Sequence, residues 1–298
     1  MSDIVGRFAP TPSGRMHLGN VFAAMLAWLS VRSQGGKMVL RMEDLDTQRT
    51  SREFAEILRD DLLWLGLDWD EETPPQSSRS AVYDKYFEIL REKGLLYPCY
   101  CTRSQLHSVN APHLSDGTYV YPGTCRNLTA PPEGRAPAWR VAVPDRIWEF
   151  TDTVFGPQRE NLLTDCGDFV VRRADGVYVY QLAVTVDDGE AGVTEVVRGM
   201  DLLSSSARQM YLQELFGFQH PKYAHVPMLL APDGRRLSKR DRDLDLGQLR
   251  QRMTPESLLG LLAFSAGLID RNEPISALEL SKEFSFHNLR KDDICLSL

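Results

Sequence analysis

Apolar positions along this chain keep two rhythms, with one long interruption between them. The first segment, Ile4 to Ala9, is short and reads as a strand. The turn-forming run Pro10, Thr11, Pro12, Ser13 and Gly14 ends it. Asn20 can cap the helix that follows, whose apolar face runs Val21, Met25, Trp28 and Leu29. An apolar run from Met38 to Met42 then closes on Glu43 and Asp44. Strand, loop, helix and strand open a βαβ unit, so the expected fold class is α/β with parallel strands. Such sheets gather functional groups at strand C-termini and helix N-termini.

Two more helices follow in the same pattern. Thr50 and Glu53 are spaced as a capping box, ahead of Phe54, Ile57, Leu58, Leu62 and Leu65. Ser80 can cap the next, which buries Val82, Tyr83, Tyr86, Phe87 and Leu90. From about 97 to 165 helical periodicity disappears and Pro, Gly, Thr and Asn become frequent. That stretch reads as an insertion with short strands such as Ala138 to Val143. The apolar pattern returns at Phe169 to Arg172 and Tyr178 to Val186. Ser206 with Gln209 makes a further capping box, for a helix ending near Gly217. Thr254-Pro255 opens a helix that stops at Gly267, and a small helical tail follows. The expected division is a catalytic half at 1–96, the insertion at 97–165, a second catalytic half at 166–233 and a C-terminal region at 234–298.

Composition narrows the class. The 298 residues are 43% hydrophobic and 25% charged, an ordinary balance for a soluble globular protein with a sizeable core. No basic segment followed by an apolar run marks an export signal at the N-terminus, and no stretch is apolar enough to span a membrane. A cytoplasmic, monomeric enzyme is the expectation. The net charge of −7 argues against an obligate non-specific nucleic-acid binder. One stretch, 235–252, runs the other way, with seven Arg/Lys against three Asp. It is a candidate rim for a phosphate backbone, and equally a solvated charge run.

Three of the five cysteines, Cys99, Cys101 and Cys125, cluster at the insertion. Without an export signal this pattern points to a metal more than to disulfides. Three thiolates and one further ligand close a tetrahedral zinc site, and His107 and His113 are the generic candidates for the fourth position. The plain alternative is three buried thiols.

Two loops carry chemistry. In GRFAPTPSGRMHLGN, residues 6–20, a strand and a Pro/Gly turn deliver His17 to a helix N-terminus, where free N–H groups and the helix dipole suit phosphate. An isolated His-x-Gly is more often a packed turn histidine. In GRRLSKRD, residues 234–241, Lys239 beside Ser238 can supply mobile positive charge to a leaving pyrophosphate. Most basic loops are merely solvated. Together and in this order, His17-Leu18-Gly19-Asn20 and Arg236-Leu237-Ser238-Lys239-Arg240 resemble the paired nucleotide motifs of class I aminoacyl-tRNA synthetases. The second His of the first motif is replaced by Asn20. In the second motif, Arg236, Leu237 and Arg240 stand in place of Lys, Met and Ser. The resemblance implies ATP binding by His17, Gly19, Asn20, Ser238 and Lys239, with His17 and Lys239 catalytic and Mg2+ accompanying the ATP.

RFAPTPSG, RMEDLDTQR, YQLAVTVDD and VVRGMDLLSSSARQ further resemble glutamyl-tRNA synthetases, over roughly residues 4–245. The likeness implies a Rossmann-type doubly wound parallel sheet with a zinc-bearing insertion and a small helical C-terminal region. It also implies a glutamate pocket. Arg7 and Arg198 would meet the side-chain carboxylate, Glu43 would hold the α-ammonium and Tyr180 would line the wall. Phe8, Ala9, Pro10 and Thr11 of the first loop would complete it. A dicarboxylic amino acid does need an Arg fork for its extra carboxylate and a carboxylate for its amine. A neutral glutamine would leave the Arg198 charge unpaired.

The sequence reaches Leu298 soon after the Ser-Lys loop, so no anticodon-binding domain is expected. In that respect, and in Cys-x-Cys…Tyr-x3-Cys, it is similar to the truncated glutamyl-queuosine tRNA(Asp) synthetases. That likeness implies that Tyr121 completes a structural zinc site. It also implies glutamate transfer to a hydroxyl of the queuosine base at the wobble position of tRNA(Asp), with glutamate activated without tRNA. The alternatives are a glutamyl-tRNA synthetase charging a 3′ end and a weakened paralogue that only binds tRNA.

Overall fold

The computed structural model describes residues 3–102, 105, 120–130, 132–231, 233–235 and 245–296. Strand β1 (Val5–Phe8) leads through the Pro/Gly turn into helix α1 (Leu18–Ser33) and back to β2 (Lys37–Leu40), which pairs with β1 in parallel. Helix α2 (Arg52–Trp64) follows, and then β3 (Glu71–Glu72), parallel to β2. The βαβ reading therefore holds, and it brings the loop after β1 beside the residues after β2. Backbone bonds from Arg41 N–H to Phe8 O (2.9 Å) and from Glu43 N–H to Pro10 O (3.0 Å) join them.

Helix α1 is not a one-faced surface helix. Val21, Phe22, Met25, Leu26, Trp28, Leu29 and Val31 are all buried, because the helix is covered on several sides. Full burial of each such large side chain contributes roughly 1.5–3 kcal/mol. Its N-cap is His17, which makes no side-chain cap, so Asn20 lies inside the first turn rather than capping it. The cap of α2 is Ser51, which accepts from Phe54 N–H, and not Thr50, whose hydroxyl turns back to Asp46 O. Helix α3 (Ser80–Glu92) starts at Ser80 itself, with Arg79 at the cap position, and buries Tyr83, Phe87 and Leu90.

The stretch expected to be an insertion holds β4 (Leu96–Cys99), β5 (Ala138–Val141) and an antiparallel hairpin of β6 (Ile147–Asp152) with β7 (Gly156–Asn161). Strand β8 (Phe169–Arg172) completes an antiparallel sheet in the order β4-β5-β8. Helix α4 (Tyr180–Glu190) follows, then β9 (Glu195–Gly199), a 3-10 turn over Met200–Ser205, α5 (Ser206–Phe216) and β10 (Lys222–Val226), which is parallel to β9. Thr194 N–H bonds Val5 O at 2.9 Å, so β9 runs beside β1. The expected capping box of α5 does not form. Its cap position is Ser205, whose hydroxyl accepts from Gln181 at 2.9 Å and makes no cap bond, while Ser206 and Gln209 serve another purpose described below.

Beyond β11 (Leu229–Leu230) come α6 (Leu246–Leu249), α7 (Pro255–Ser265) and α8 (Ala277–Lys282). Thr254 caps α7 through Ser257 N–H, as its sequence suggests. The tail is not purely helical, because β12 (Ile294–Cys295) pairs in parallel with β11. Among the described residues no helix is long and apolar enough to cross a membrane.

Candidate active site

The C-terminal ends of β1, β2 and β9 and the N-termini of α1 and α4 open onto one cavity of ≈ 630 Å³. Arg7, Phe8, Ala9, Pro10 and Thr11 line it from the first loop. His17, Gly19 and Asn20 line it from the start of α1, and Glu43, Tyr180 and Arg198 complete the expected set. The described members of both groups, those expected at nucleotide and those expected at glutamate, thus share one space. Ser238 and Lys239 lie outside the described residues, as do His107 and His113.

The glycine of the His-x-Gly motif is close-packed. A Cβ at Gly19 would stand 3.1 Å from Cε1 and 3.2 Å from Nδ1 of His17, so the small residue lets the imidazole lie against the helix start.

Buried charge pairs fix the amino-acid side of the cavity. Arg41, fully buried, donates to Asp188 at 2.6 Å and to Glu43 at 3.0 Å and sits 3.7 Å from Asp187. Arg7 bonds Asp188 at 3.4 Å and the carbonyl of Val197 at 3.2 Å. Burial pushes the Glu43 carboxyl above its ordinary range, and Arg41 and Arg7 offset only part of that. Burial acts on Asp188 in the same direction, but Arg41 and Arg7 overcome it and hold that carboxyl low. Glu43 is therefore less compensated by its cations than Asp188.

Arg198 is held from three directions. Its Nε donates to His225 Nε2 at 3.0 Å, Nη1 to Gln209 Oε1 at 2.7 Å and Nη2 to Ser206 Oγ at 2.9 Å. The two residues that spell a capping box in the sequence are thus taken by an arginine of the neighbouring strand β9. Sequence reasoning passes over Asp188 and His225, while Arg41, which flanks Glu43 in the sequence, is the ion-pair candidate that the structure bears out. His225 leaves a signal, as an ionisable residue inside an otherwise apolar run, whereas Asp188 stands in the acidic stretch Asp187-Asp188-Gly189-Glu190 and leaves none of that kind.

The comparison with known proteins decides the family. The model of class I tRNA synthetases of the E and Q type, catalytic domain, matches residues 3–293. A glutamyl-Q tRNA(Asp) synthetase of Nitratidesulfovibrio vulgaris is 49% identical over 282 residues, covering 89% of this chain and 87% of that protein. One from Symbiobacterium thermophilum is 45% identical over 308 residues, covering 98% and 95%. The chain belongs to the glutamyl-Q tRNA(Asp) synthetase family. The fold agrees with that placement. A glutamate tRNA ligase of Elizabethkingia meningosepticum, solved in complex with its amino acid, superposes with a TM-score of 0.82 at 29% identity. It covers 99% of this chain and 67% of that one.

In this member of the glutamyl-Q tRNA(Asp) synthetase family a second cluster lies at the end of β4. The sulfurs of Cys99, Cys101 and Cys125 lie within 4.8 Å of one another. Cys101 Sγ is 3.6 Å from Cys125 Sγ, and the Tyr121 hydroxyl is 3.5 Å from Cys99 Sγ and 3.6 Å from Cys101 Sγ. Zn–S bonds of ~2.3 Å put tetrahedral sulfurs ~3.8 Å apart, and an oxygen ligand ~3.5 Å from each sulfur, so these four atoms can hold a metal ion. Gly167, at φ 71°, lets the backbone of Tyr121 pass: a Cβ there would meet Tyr121 O at 2.4 Å. Buried Arg140 donates to Cys99 Sγ at 3.2 Å and stacks 3.6 Å from the Tyr121 ring centroid. Burial disfavours the Cys99 thiolate, but the bonds from Tyr121 and Arg140 outweigh it and bring the thiol down to about 7.

The basic stretch is only partly described. Arg235 pairs with Asp233 at 2.6 Å, while Arg250 is held by Asp60 and Asp61 and lies over Trp64. Arg235 and Asp233 form an exposed pair, as a solvated charge run would, whereas Arg250 is spent on a packed ion pair with buried Asp61.

Proposed function

We propose that this chain activates L-glutamate with ATP to glutamyl-adenylate and transfers the glutamate to the queuosine base at the wobble position of tRNA(Asp). One observation carries the reading: a single cavity is lined by Arg7, Glu43, Tyr180 and Arg198 together with His17, Gly19 and Asn20. Glutamate held by the first four would present its α-carboxylate to the α-phosphorus of ATP. His17 would support the phosphates and Lys239, with Mg2+ accompanying the ATP, would stabilise the departing pyrophosphate. A second cavity of ≈ 350 Å³ shares Asp201 and Met228 with the first and is walled by the β6–β7 hairpin. We assign it to the queuosine cyclopentene ring, whose hydroxyl attacks the adenylate carbonyl and releases AMP.

The reading includes a doubly wound Rossmann-type core at 1–96 and 166–233, an acceptor-type insertion at 97–165 and a helical C-terminal region at 234–298. It includes a structural Zn2+ on Cys99, Cys101, Tyr121 and Cys125, where the ion would tie the ends of a loop-rich segment to β4. It describes a monomer working in the cytoplasm.

The test uses radiolabelled glutamate with tRNA(Asp) carrying queuosine, tRNA(Asp) lacking it, and tRNA(Glu). Label is expected on the first alone, and nuclease digestion should leave it in the anticodon fragment. Equal labelling of the unmodified tRNA(Asp), or label on the terminal adenosine, defeats the acceptor assignment. Absence of glutamate-dependent ATP–pyrophosphate exchange defeats activation.

A further inference from the structure

An arginine side chain can only donate hydrogen bonds, so the nitrogen it faces has to accept. Arg198 Nε faces His225 Nε2 at 3.0 Å, and the ring proton of His225 therefore sits on Nδ1. Nδ1 in turn lies 2.7 Å from Asp152 Oδ2, which also accepts the backbone N–H of His225 at 3.0 Å. The other carboxylate oxygen, Oδ1, accepts the N–H groups of Val154 at 3.0 Å and Phe155 at 2.9 Å. Asp152 cannot turn without breaking backbone bonds. The whole series is dry, with His225 0%, Asp152 1% and Arg198 5% exposed. The Tyr223 ring stacks on His225 at 6.1 Å between centroids and lies 5.2 Å from the Arg198 guanidinium.

We propose that Asp152 and His225 are positioning residues for amino-acid recognition. Asp152 selects the imidazole tautomer, His225 anchors Nε of Arg198, and the second N–H on each of Nη1 and Nη2 is thereby left for a ligand carboxylate. This rests on the reading of Arg198 as the receiver of the glutamate side chain. Asp152 ends β6, the strand whose hairpin walls the second cavity, so an element of the insertion holds the specificity arginine of the core.

Substitutions separate positioning from mere stability. His225→Phe keeps a ring but offers no acceptor. His225→Gln can restore an acceptor near the Nε2 position. In Asp152→Asn the remaining oxygen is claimed by Val154 and Phe155, so the amide NH2 faces His225. The amide then donates to Nδ1, drives the ring proton to Nε2 and sets two donors against each other.

The experiment is ATP–pyrophosphate exchange with the full chain, measuring KM for glutamate and for ATP separately. His225→Phe and Asp152→Asn are expected to raise KM for glutamate about tenfold or more while KM for ATP stays within about twofold, and His225→Gln should recover part of the loss. Nitrogen-15 NMR of the histidine-labelled wild type should show His225 protonated at Nδ1 and bare at Nε2, a readout that needs no activity and survives the misfolding of any variant. An Nε2–H tautomer, or equal changes in both KM values, overturns the proposal. Arg198→Ala is the control for its premise: if that variant leaves KM for glutamate unchanged, the premise and the proposal fall together. Wild-type exchange that responds to glutamate shows that the functional reading stands apart from this outcome.

Discussion

Ser206 Oγ accepts from Arg198 Nη2 at 2.9 Å and in doing so gives up the helix cap that its sequence position suggests. On the proposed reading of Arg198, a hydroxyl in such a place serves ligand binding more than the helix. Ser206→Ala is expected to raise KM for glutamate several-fold with little change in melting temperature. Arg198→Ala, which removes the charge itself, should lower kcat/KM for glutamate roughly 100-fold, or about 3 kcal/mol. Pyrophosphate exchange measures both, and a Ser206→Ala variant that melts early with normal KM would return the residue to a capping role.

Arg41 is expected to matter for folding first. It is fully buried among Asp188, Glu43 and Asp187, and removing it leaves Glu43 without its hydrogen-bonded cation, Asp188 with Arg7 alone and Asp187 with Arg79. Arg41→Met should cost about 3–5 kcal/mol of stability, read as a lower urea midpoint. A midpoint unchanged from wild type would mean that the carboxylates find other partners.

The metal reading predicts zinc in the purified protein and its loss on chelation, followed by elemental analysis. Cys101→Ala should carry none. Tyr121→Phe keeps the ring under Arg140 but removes the oxygen, so it should bind zinc yet release it to a chelator more readily. Gly167→Ala should resemble it, because the added methyl collides with the Tyr121 backbone. Full, chelator-resistant zinc in both variants would leave Tyr121 as packing only.

Glutamate binding should weaken in acid. Glu43 has to be ionised to hold an ammonium, and burial raises its pKa above the ordinary 4.5. KM for glutamate should rise as pH falls through that raised value and level off above it. The stability term runs the opposite way: a carboxyl whose folded pKa is raised favours the fold below its unfolded pKa and loses that contribution as pH rises through the folded one. Glu43→Gln should raise KM and flatten its acid limb. A limb that persists in that variant assigns the titration to another group.

Much of this was legible in the sequence because the βαβ opening is local. A strand, a Pro/Gly turn and a helix are written in consecutive residues, and they set the Arg7 loop beside Glu43. The cysteines were legible for the same reason, being spaced along one short stretch. The residues that hold Arg198 were not. Gln209 and Ser206 obey a capping pattern that only the neighbouring strand overrules. Asp152 and His225 are 73 positions apart and meet only when the hairpin folds onto β10. Helix α1 misled for a related reason: periodicity reports one buried face, and it cannot report that sheet and C-terminal helices cover the others.

Asp201 and Met228 form a party wall between the two cavities. Any occupant that shifts either side chain alters the room next door. Thermodynamic linkage then fixes a reciprocity: by whatever factor a bound adenylate changes the affinity for the acceptor, the acceptor changes the affinity for the adenylate. Titrating one ligand in the presence of a stable analogue of the other would measure that factor from both directions, and the two answers have to agree.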